Sequence, residues 1–469
     1  MFYKSTLKNW SYFRNINPGK HHNLALSIDI TIKRINQLAI PALIAGISEP
    51  ILSLTDAAII GNMPKNATVS LAAVGVVTTF LSMLIWVLGQ TRSAISAIVS
   101  QYVGAGKVDD VKDLPAQAIF IITSLSILII LVTYPLAPDI FRLYNASDTI
   151  LNYSVNYYRI RVFGFPFTLF TFAIFGTFRG LQNTYYPMII ALLGSVTNIV
   201  LDFILVYGIK DLLAPLYIEG AAYASVVAQI TMAIASAYLI YNKTHIRLKL
   251  RLPFHPEMKR FVLMIVNLFI RTLALNVALY FATSFATKYG PTYIAAYTIA
   301  INLWFFGAFL IDGYASAGNI LSGKLLGAKA YKTLLTLSNK LILFGIAAGT
   351  LIALIGAVFY KPIGLIFSNE PGVLTEFYTV FWIVLAMQPL CAIAFIFDGV
   401  FKGLGKMKYL RNVLLFSTLL VFIPIVLYLD HQDYKLTGVF IAFTFWILAR
   451  GLPLIIKFRK TFVPLTQTE

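Results

Sequence analysis

Long apolar segments, separated by short loops with Gly, Pro and charged residues, are the feature that most constrains the fold of this chain. A helix needs about 20 apolar residues to cross a bilayer core, where its backbone polar groups must be paired within the helix. Twelve such segments predict an all-α, polytopic membrane protein with twelve transmembrane helices. They cover residues 35–61, 68–103, 113–134, 151–181, 184–207, 218–241, 258–289, 292–327, 334–359, 374–404, 408–429 and 435–456.

Composition restricts the partners that the chain can have. Of its 469 residues 59% are hydrophobic and 12% are charged, whereas about 25% are charged in an average soluble domain. The net charge of +18 is spread between apolar segments, which favours membrane lipids and argues against nucleic acid as a partner. A single cysteine, Cys391, excludes an intramolecular disulfide, and all five histidines fall in tails or loops. We therefore expect no cofactor and no site for a transition metal.

The distribution of Lys and Arg predicts the orientation of the chain in the membrane. One set of alternating loops, with both tails, contains 26 of the 37 basic residues, and the opposite set contains 6. Because basic residues collect on the cytoplasmic side, both termini are predicted to be cytoplasmic. We expect a multi-pass monomer in the plasma membrane, which in a bacterium is the inner membrane.

Three short sequences recur later in the chain, all at the same separation. We call this separation, which is the distance along the chain from Leu71 to Ile294, the repeat offset. Two six-helix halves of the same membrane topology are the simplest explanation, with a repeat axis along the membrane normal. The matched sequences are LAAVGV at 71–76 with IAAYTI at 294–299, QYVGAGK at 101–107 with KLLGAKA at 324–330, and GTFRGL at 176–181 with GVFKGL at 399–404. We predict a cytoplasmic tail at 1–34, an N-lobe at 35–241, a linker at 242–257, a C-lobe at 258–456 and a second tail at 457–469.

Two carboxylates, Glu49 and Asp56, interrupt the first apolar segment. An ionisable side chain at mid-membrane costs roughly 2.5–3.5 kcal/mol on insertion scales, so both acids need a protein partner or a water-filled cavity. Seven residues apart on a helix, they share one face. That face is therefore predicted to line the interior of the bundle.

The fifth segment offers companions for these acids. Asn198 and Asp202 are four residues apart, so they project from one face of a helix, and Ser195 joins them. Carboxylate, amide and hydroxyl oxygens suit a small alkali cation, and closely spaced acids equally suit a proton. A third interpretation is that Asn198 and Asp202 only tie helices together by hydrogen bonds.

Charged residues also interrupt the apolar segments of the second half. Arg271 lies in LFIRTLALNVAL and Asp312 in GAFLIDGYASAGN, and one interpretation is a structural ion pair between them. Arg92, in segment two, is a further charged residue within a span. The pair Arg159 and Arg161 is expected to reach the outer interface.

Several of these motifs together resemble the multidrug and toxic compound extrusion (MATE) family of cation-coupled antiporters. The resemblance extends over nearly the whole chain from about residue 35, and FIRTLAL, LIDGYASA and Arg92 are similar to its DinF-like branch. The remaining motifs are LSLTDAAIIG, LAAVGV, SQYVGAGK, TNIVLD, GAAYAS and GLGKMK.

The resemblance implies two six-helix lobes around a V-shaped cavity, and it implies roles for individual residues. Asp56 would be the acid of the first helix, Asn198 and Asp202 the Asn-x-x-x-Asp pair of the fifth, and Ser225 would stand where Thr is more usual. Proton or sodium coupling would then occur at Asp56, Asn198, Asp202 and Ser225, with Na⁺ possible at the first three. A substrate cavity and charge network would contain Glu49, Arg92, Arg271 and Asp312. Asn319 departs from the pattern, because many DinF-like relatives have Glu there.

We therefore expect an antiporter, and no enzyme, that exports small organic cations, drugs or toxic metabolites in exchange for protons or sodium ions. One alternative is a flippase for lipid-linked sugars or peptidoglycan precursors, which would line its cavity with several Arg residues. A membrane-embedded enzyme is a second alternative, but no nucleophile with a paired base is evident in the sequence.

Overall fold

The computed structural model describes residues 30–144, 146 and 148–467, except the side chains of Glu49, Pro50, Ser53, Leu54 and Asp148. The described residues form helices joined by short loops, with one isolated antiparallel bridge between Ile209 and Leu213. This confirms the predicted all-α architecture. The predicted tail at 1–34 lies mostly outside the described residues.

The described part of the chain contains seventeen α-helices. In the first half they are α1 (Ile32–Gly61), α2 (Ala67–Leu88), α3 (Thr91–Gly104), α4 (Leu114–Thr133), α5 (Ala137–Leu143), α6 (Asp148–Arg161), α7 (Phe165–Gly180), α8 (Tyr185–Tyr207) and α9 (Tyr217–Lys243). In the second half they are α10 (Met258–Lys288), α11 (Pro291–Gly327), α12 (Tyr331–Val358), α13 (Tyr360–Phe367), α14 (Pro371–Gly403), α15 (Met407–Phe416), α16 (Ile423–His431) and α17 (Lys435–Phe462).

Eleven helical segments among the described residues are long and apolar enough to cross a membrane. Three of them join two shorter helices end to end, namely α2 with α3, α6 with α7, and α15 with α16. Helix α1 is 30 residues long, contacts α8 and α11, and corresponds to the first of the twelve predicted spans. Each predicted segment therefore has a helical counterpart in the structure.

The repeat offset also appears in the way helices pack. A Cβ added to Gly104 would lie 1.9 Å from the carbonyl oxygen of Lys324, and one added to Gly327 would lie 1.9 Å from that of Gln101. Gly327 follows Gly104, and Lys324 follows Gln101, at the repeat offset. The two contacts are thus one contact made twice, at the crossing of α3 and α11.

A second pair of glycines repeats this pattern within each half. A Cβ on Gly176 would meet the backbone of Arg92, and a Cβ on Gly399 would meet the backbone of Ala315. Gly399 follows Gly176, and Ala315 follows Arg92, at the repeat offset. Only glycine permits backbones to approach so closely. The repeat read from the sequence therefore corresponds to equivalent helix contacts, α3 with α7 and α11 with α14.

The first helix of each half also packs on the other half. Ile35 and Leu38 of α1 lie in an apolar core formed by α11, α12, α14 and α17, while Met258 and Phe261 of α10 lie in a core with α3, α4 and α7. Met258 and Phe261 follow Ile35 and Leu38 at the repeat offset, so this exchange is symmetric too. The boundaries given above for the two lobes stay a prediction.

Candidate functional site

Four polar side chains from three helices meet inside the first half. Asp56 comes from α1, Asn198 and Asp202 from successive turns of α8, and Ser225 from α9. All four are buried, with 7% of Asp56 and none of Asp202 exposed. The structure thus brings together every residue predicted for the coupling site, although their function is untested.

The amide of Asn198 connects the cluster. Its Nδ2 donates to Oδ2 of Asp202 at 2.6 Å and lies 3.4 Å from Oδ1 of Asp56, while its Oδ1 accepts from the Ser225 hydroxyl at 3.4 Å. The two carboxyl groups are close enough to interact directly. Oδ1 of Asp202 has no hydrogen-bond donor among the described residues. A proton on either acid, or a small cation between them, would satisfy this atom and relieve the repulsion.

A glycine on α9 places Ser225 in this cluster. The position of a Cβ on Gly220 would be 2.6 Å from the backbone carbonyl group of Leu205, so α8 and α9 touch at this turn. Any larger side chain would separate the helices. Because Ser225 lies little more than one turn further along α9, the close approach brings its hydroxyl to Asn198.

Three neighbours of the acids were not predicted as site residues. The guanidinium of Arg161, at the end of α6, interacts electrostatically with both carboxyl groups and with buried Tyr157. The hydroxyl of Tyr207 donates to the backbone oxygen of Ile59 at 2.9 Å and so ties the end of α1 to α8. Nothing in the sequence distinguishes these tyrosines from the many others in the chain. The expectation that Arg161 only reaches the outer interface was incomplete, because its charge also acts on the site.

A second buried cluster lies in the other half and has the opposite charge. Asp398 of α14 accepts from Arg271 of α10 at 2.5 Å and pairs with Lys402 at 2.9 Å, and Nη2 of Arg450 on α17 lies 3.9 Å away. The side chains of Arg271, Asp398 and Arg450 are buried and that of Lys402 is 14% exposed, so three cations surround one carboxylate. Arg271 of α10 thus pairs with Asp398 of α14, and the interpretation above that it forms an ion pair with Asp312 is wrong.

Comparison with known proteins identifies the family of this fold. The sequence model of the MatE family matches residues 41–204 and 268–427, once in each half of the chain. This chain belongs to the MatE family. DNA damage-inducible protein F of Escherichia coli is 24% identical over 91% of this chain and 92% of its own, and the multidrug resistance protein NorM of Vibrio vulnificus is 25% identical over 88% of each.

A solved structure shares the fold of this MatE protein. It is described as "Crystal structure of MATE in the bent conformation" and superposes with a TM-score of 0.86, over 93% of this chain and 96% of the other, at 20% identity. MatE proteins are multidrug and toxin efflux transporters of the membrane, so the chain is a multi-pass transporter and the family predicted from the motifs is confirmed.

The remaining predicted residues of this MatE protein occupy different places. The guanidinium of Arg92 lies 5.2 Å from the centre of the Phe172 ring. Asp312 is exposed and interacts electrostatically with two cations, Arg179 and Lys402. The side chain of Glu49 lies outside the described residues. No group of three or more His, Cys, Asp or Glu that could hold a metal ion occurs in the described part of the chain.

Three basic residues that the count of Lys and Arg places on the cytoplasmic side, Arg179, Lys402 and Arg450, lie largely inside the helical bundle of this MatE protein. Each is at the end of a helix or within one, and Arg450 is 4% exposed. The signal that could have found Lys402 is its spacing of four residues from Asp398 within an otherwise apolar helix.

Proposed function

We propose that this MatE protein is a secondary active antiporter that exports organic cations, drugs or toxic metabolites in exchange for protons or sodium ions. The observation that carries the proposal is the pair of buried carboxyl groups, Asp56 and Asp202, joined through the amide of Asn198. Two acids this close inside a membrane bundle repel each other unless a positive charge or a proton lies between them. The pair is therefore suited to bind and release a cation.

Coupling follows from competition for the same negative charge. A proton or Na⁺ on Asp56 and Asp202 removes the charge that would attract an organic cation, and a bound organic cation disfavours the ion in return. Such coupling is reciprocal, because each ligand changes the affinity of the other by the same factor. The acid pair alone can then couple ion entry to substrate export, and no direct contact between the ion and the organic cation is needed.

The chemistry of the cluster accommodates either coupling ion. A proton needs only the two carboxyl groups, whereas Na⁺ would take oxygen ligands from Asp56, Asp202, Asn198 and the hydroxyl of Ser225. In both cases ion entry from outside neutralises the site. We propose that α1 then bends near Pro41 or Pro50, where proline removes a backbone hydrogen bond, and that the two halves rock to face the cytoplasm.

Transport in proteoliposomes tests this role. Purified protein is reconstituted, and ethidium movement is measured under a proton gradient and a sodium gradient imposed separately. We expect one of the two gradients to drive transport by the unmodified protein, and Asp56→Asn and Asp202→Asn to lose it. The matched control is Asp211→Asn, since Asp211 is an exposed carboxylate in the loop between α8 and α9. Gradient-driven transport retained in Asp56→Asn would reject the assigned role.

A specific observation also supports the flippase alternative. The sequence indicates only Arg92 and Arg271 as arginines near mid-membrane that could contact a pyrophosphate, but the structure adds buried Arg179 and Arg450 and the largely buried Lys402. A lipid-linked sugar or peptidoglycan precursor carries the negative charge that such a set would attract. Accumulation of a lipid-linked precursor in a deletion strain would favour this function over drug export, and unchanged precursor levels would exclude it.

A further inference from the structure

A small apolar cavity lies beside the cationic cluster of the second half. Its volume is about 160 Å³, which is less than the ~300–1,000 Å³ of typical pockets for drug-sized ligands. Aromatic and aliphatic side chains form most of its wall, including Leu279, Trp304, Phe395 and Trp446. Its charged lining residues are Asp312 and Arg450. The cavity thus suits a small apolar molecule, or the end of a larger one, that carries a charge.

Arg450 is the residue in this cavity that lacks a full partner. Its Nη1 has no hydrogen-bond acceptor among the described residues, and its Nη2 lies 3.9 Å from Asp398, beyond hydrogen-bond distance. Arg271 and Lys402 occupy the two carboxylate oxygens at 2.5 and 2.9 Å. A buried guanidinium with donors unpaired is costly, so an acceptor supplied by a ligand would stabilise it.

Two aromatic rings set the position of this guanidinium. Its central carbon lies 5.2 Å from the centre of the Phe395 ring and 5.1 Å from that of Trp446, and both rings line the cavity. Cation–π contacts of this kind hold the cation but satisfy none of its N–H donors. The planar fork of an arginine matches a carboxylate, which can accept two parallel hydrogen bonds.

The charge around the cavity also favours an anion. Arg271, Lys402 and Arg450 carry three positive charges, against the negative charges of Asp398 and of exposed Asp312. A residual positive charge inside the bundle attracts an anion and repels a cation. Asp312 lines the same cavity, so it weakens this preference without reversing it.

We propose that this cavity binds a small apolar carboxylic acid, whose ring or chain fills the space against Trp304 and Trp446 and whose carboxylate pairs with Arg450. The site is separate from the acid pair on α1 and α8. It does not depend on the antiport proposed above, because binding at Arg450 requires neither Asp56 nor a gradient. An organic anion is thus a second class of ligand for this chain.

Equilibrium binding of three matched probes tests the site. The full chain is placed in nanodiscs of phosphatidylcholine alone, so that no anionic lipid competes, and is titrated with 2-naphthoate, uncharged 2-naphthamide and cationic 2-naphthylmethylammonium. Quenching of tryptophan fluorescence reports binding. We expect 2-naphthoate to bind at least tenfold more tightly than either of the other two. Equal affinity of the three probes would overturn the proposal.

Two substitutions assign the binding to this cavity. Arg450→Gln should weaken 2-naphthoate at least tenfold and leave 2-naphthamide unchanged, whereas Arg459→Gln, an exposed basic residue on the same helix, should change neither. Asp312→Asn alters an exposed side chain, so it keeps the test valid if Arg450→Gln does not fold. It should tighten 2-naphthoate several-fold and weaken the cationic probe. Unchanged probe affinities in Asp312→Asn would place the binding elsewhere and reject the site.

Discussion

The two halves of the chain share their helix contacts but bury opposite charges. In the first half two carboxylates, Asp56 and Asp202, face each other across one amide. In the second half three cations surround the single carboxylate of Asp398. The glycine contacts that fix the scaffold recur at the repeat offset, yet the buried carboxylates do not. The buried acids have therefore diverged between the halves while the helix packing has been retained.

Equivalent positions show where this divergence lies. At the repeat offset Leu279 corresponds to Asp56 and Ile425 to Asp202, so the second half has apolar side chains where the first has its acids. Leu279 lines the cavity next to Arg450. Arg179 and Lys402 are also equivalent, and both are largely buried cations. The repeat thus retains a basic position in each half, but only the first half has an acid pair.

The largest difference in stability is expected when the acid of the second half is removed. Asp398→Ala leaves Arg271, Lys402 and Arg450 buried without their counter-charge, which should lower the free energy of unfolding by about 3–5 kcal/mol. Denaturant unfolding in detergent measures this change. As a control, Asp139→Asn breaks an exposed ion pair with Arg142 and should cost less than about 1 kcal/mol. Equal losses in the two variants would contradict the charge cluster.

A smaller loss of stability is expected at the glycine contact between α3 and α11, to which each half contributes one glycine. Gly104→Ala and Gly327→Ala each place a Cβ 1.9 Å from a backbone oxygen, so each should lower the free energy of unfolding by about 1–3 kcal/mol. Gly75→Ala is the control, because no atom lies within 4 Å of its added Cβ. The same unfolding measurement compares the three. A loss at only one of the two equivalent glycines would break the symmetry proposed for the crossing of α3 and α11.

Removing the Ser225 hydroxyl from the coupling site should lower the stability only modestly. Ser225→Ala removes one hydrogen bond to Asn198, and we expect the free energy of unfolding to fall by about 0.5–1.5 kcal/mol. Ser225→Thr keeps the hydroxyl and should restore the unmodified value. If Na⁺ is the coupling ion, Ser225→Ala should also weaken sodium binding, measured by calorimetry. Loss of stability in Ser225→Thr as large as in Ser225→Ala would show that packing, not the hydroxyl, matters here.

The smallest change in stability is expected for Asp202→Asn, although this variant should lose transport completely. Asp202→Asn removes one of two repelling carboxylates and still offers Asn198 an acceptor, so the free energy of unfolding should change by less than about 1 kcal/mol. The expected loss of stability in Asp398→Ala is several-fold larger, so the two halves should respond very differently to the loss of a buried carboxylate. Unfolding of Asp202→Asn is measured in the same detergent. A loss as large as that of Asp398→Ala would identify Asp202 as a structural residue.

The sequence predicts the helices and the acid pair well because both depend on local patterns. Apolar length defines a span, and a spacing of four residues puts Asn198 and Asp202 on one face. The cluster around Asp398 depends instead on which helices meet, since Arg271, Asp398 and Arg450 come from three distant segments. Arg450 also resembles a residue of a solvated tail, because it stands close to Lys457, Arg459 and Lys460. Only packing shows that it is buried.

The exchange of a coupling ion for an organic cation at the acid pair can be measured as a binding stoichiometry. Ethidium is added to the purified protein in weakly buffered detergent solution, and the protons or sodium ions released are measured for each ethidium bound. We expect release of about one ion per ethidium by the unmodified protein, and none by Asp202→Asn. Tight ethidium binding with no release of either ion by the unmodified protein would contradict the proposed exchange.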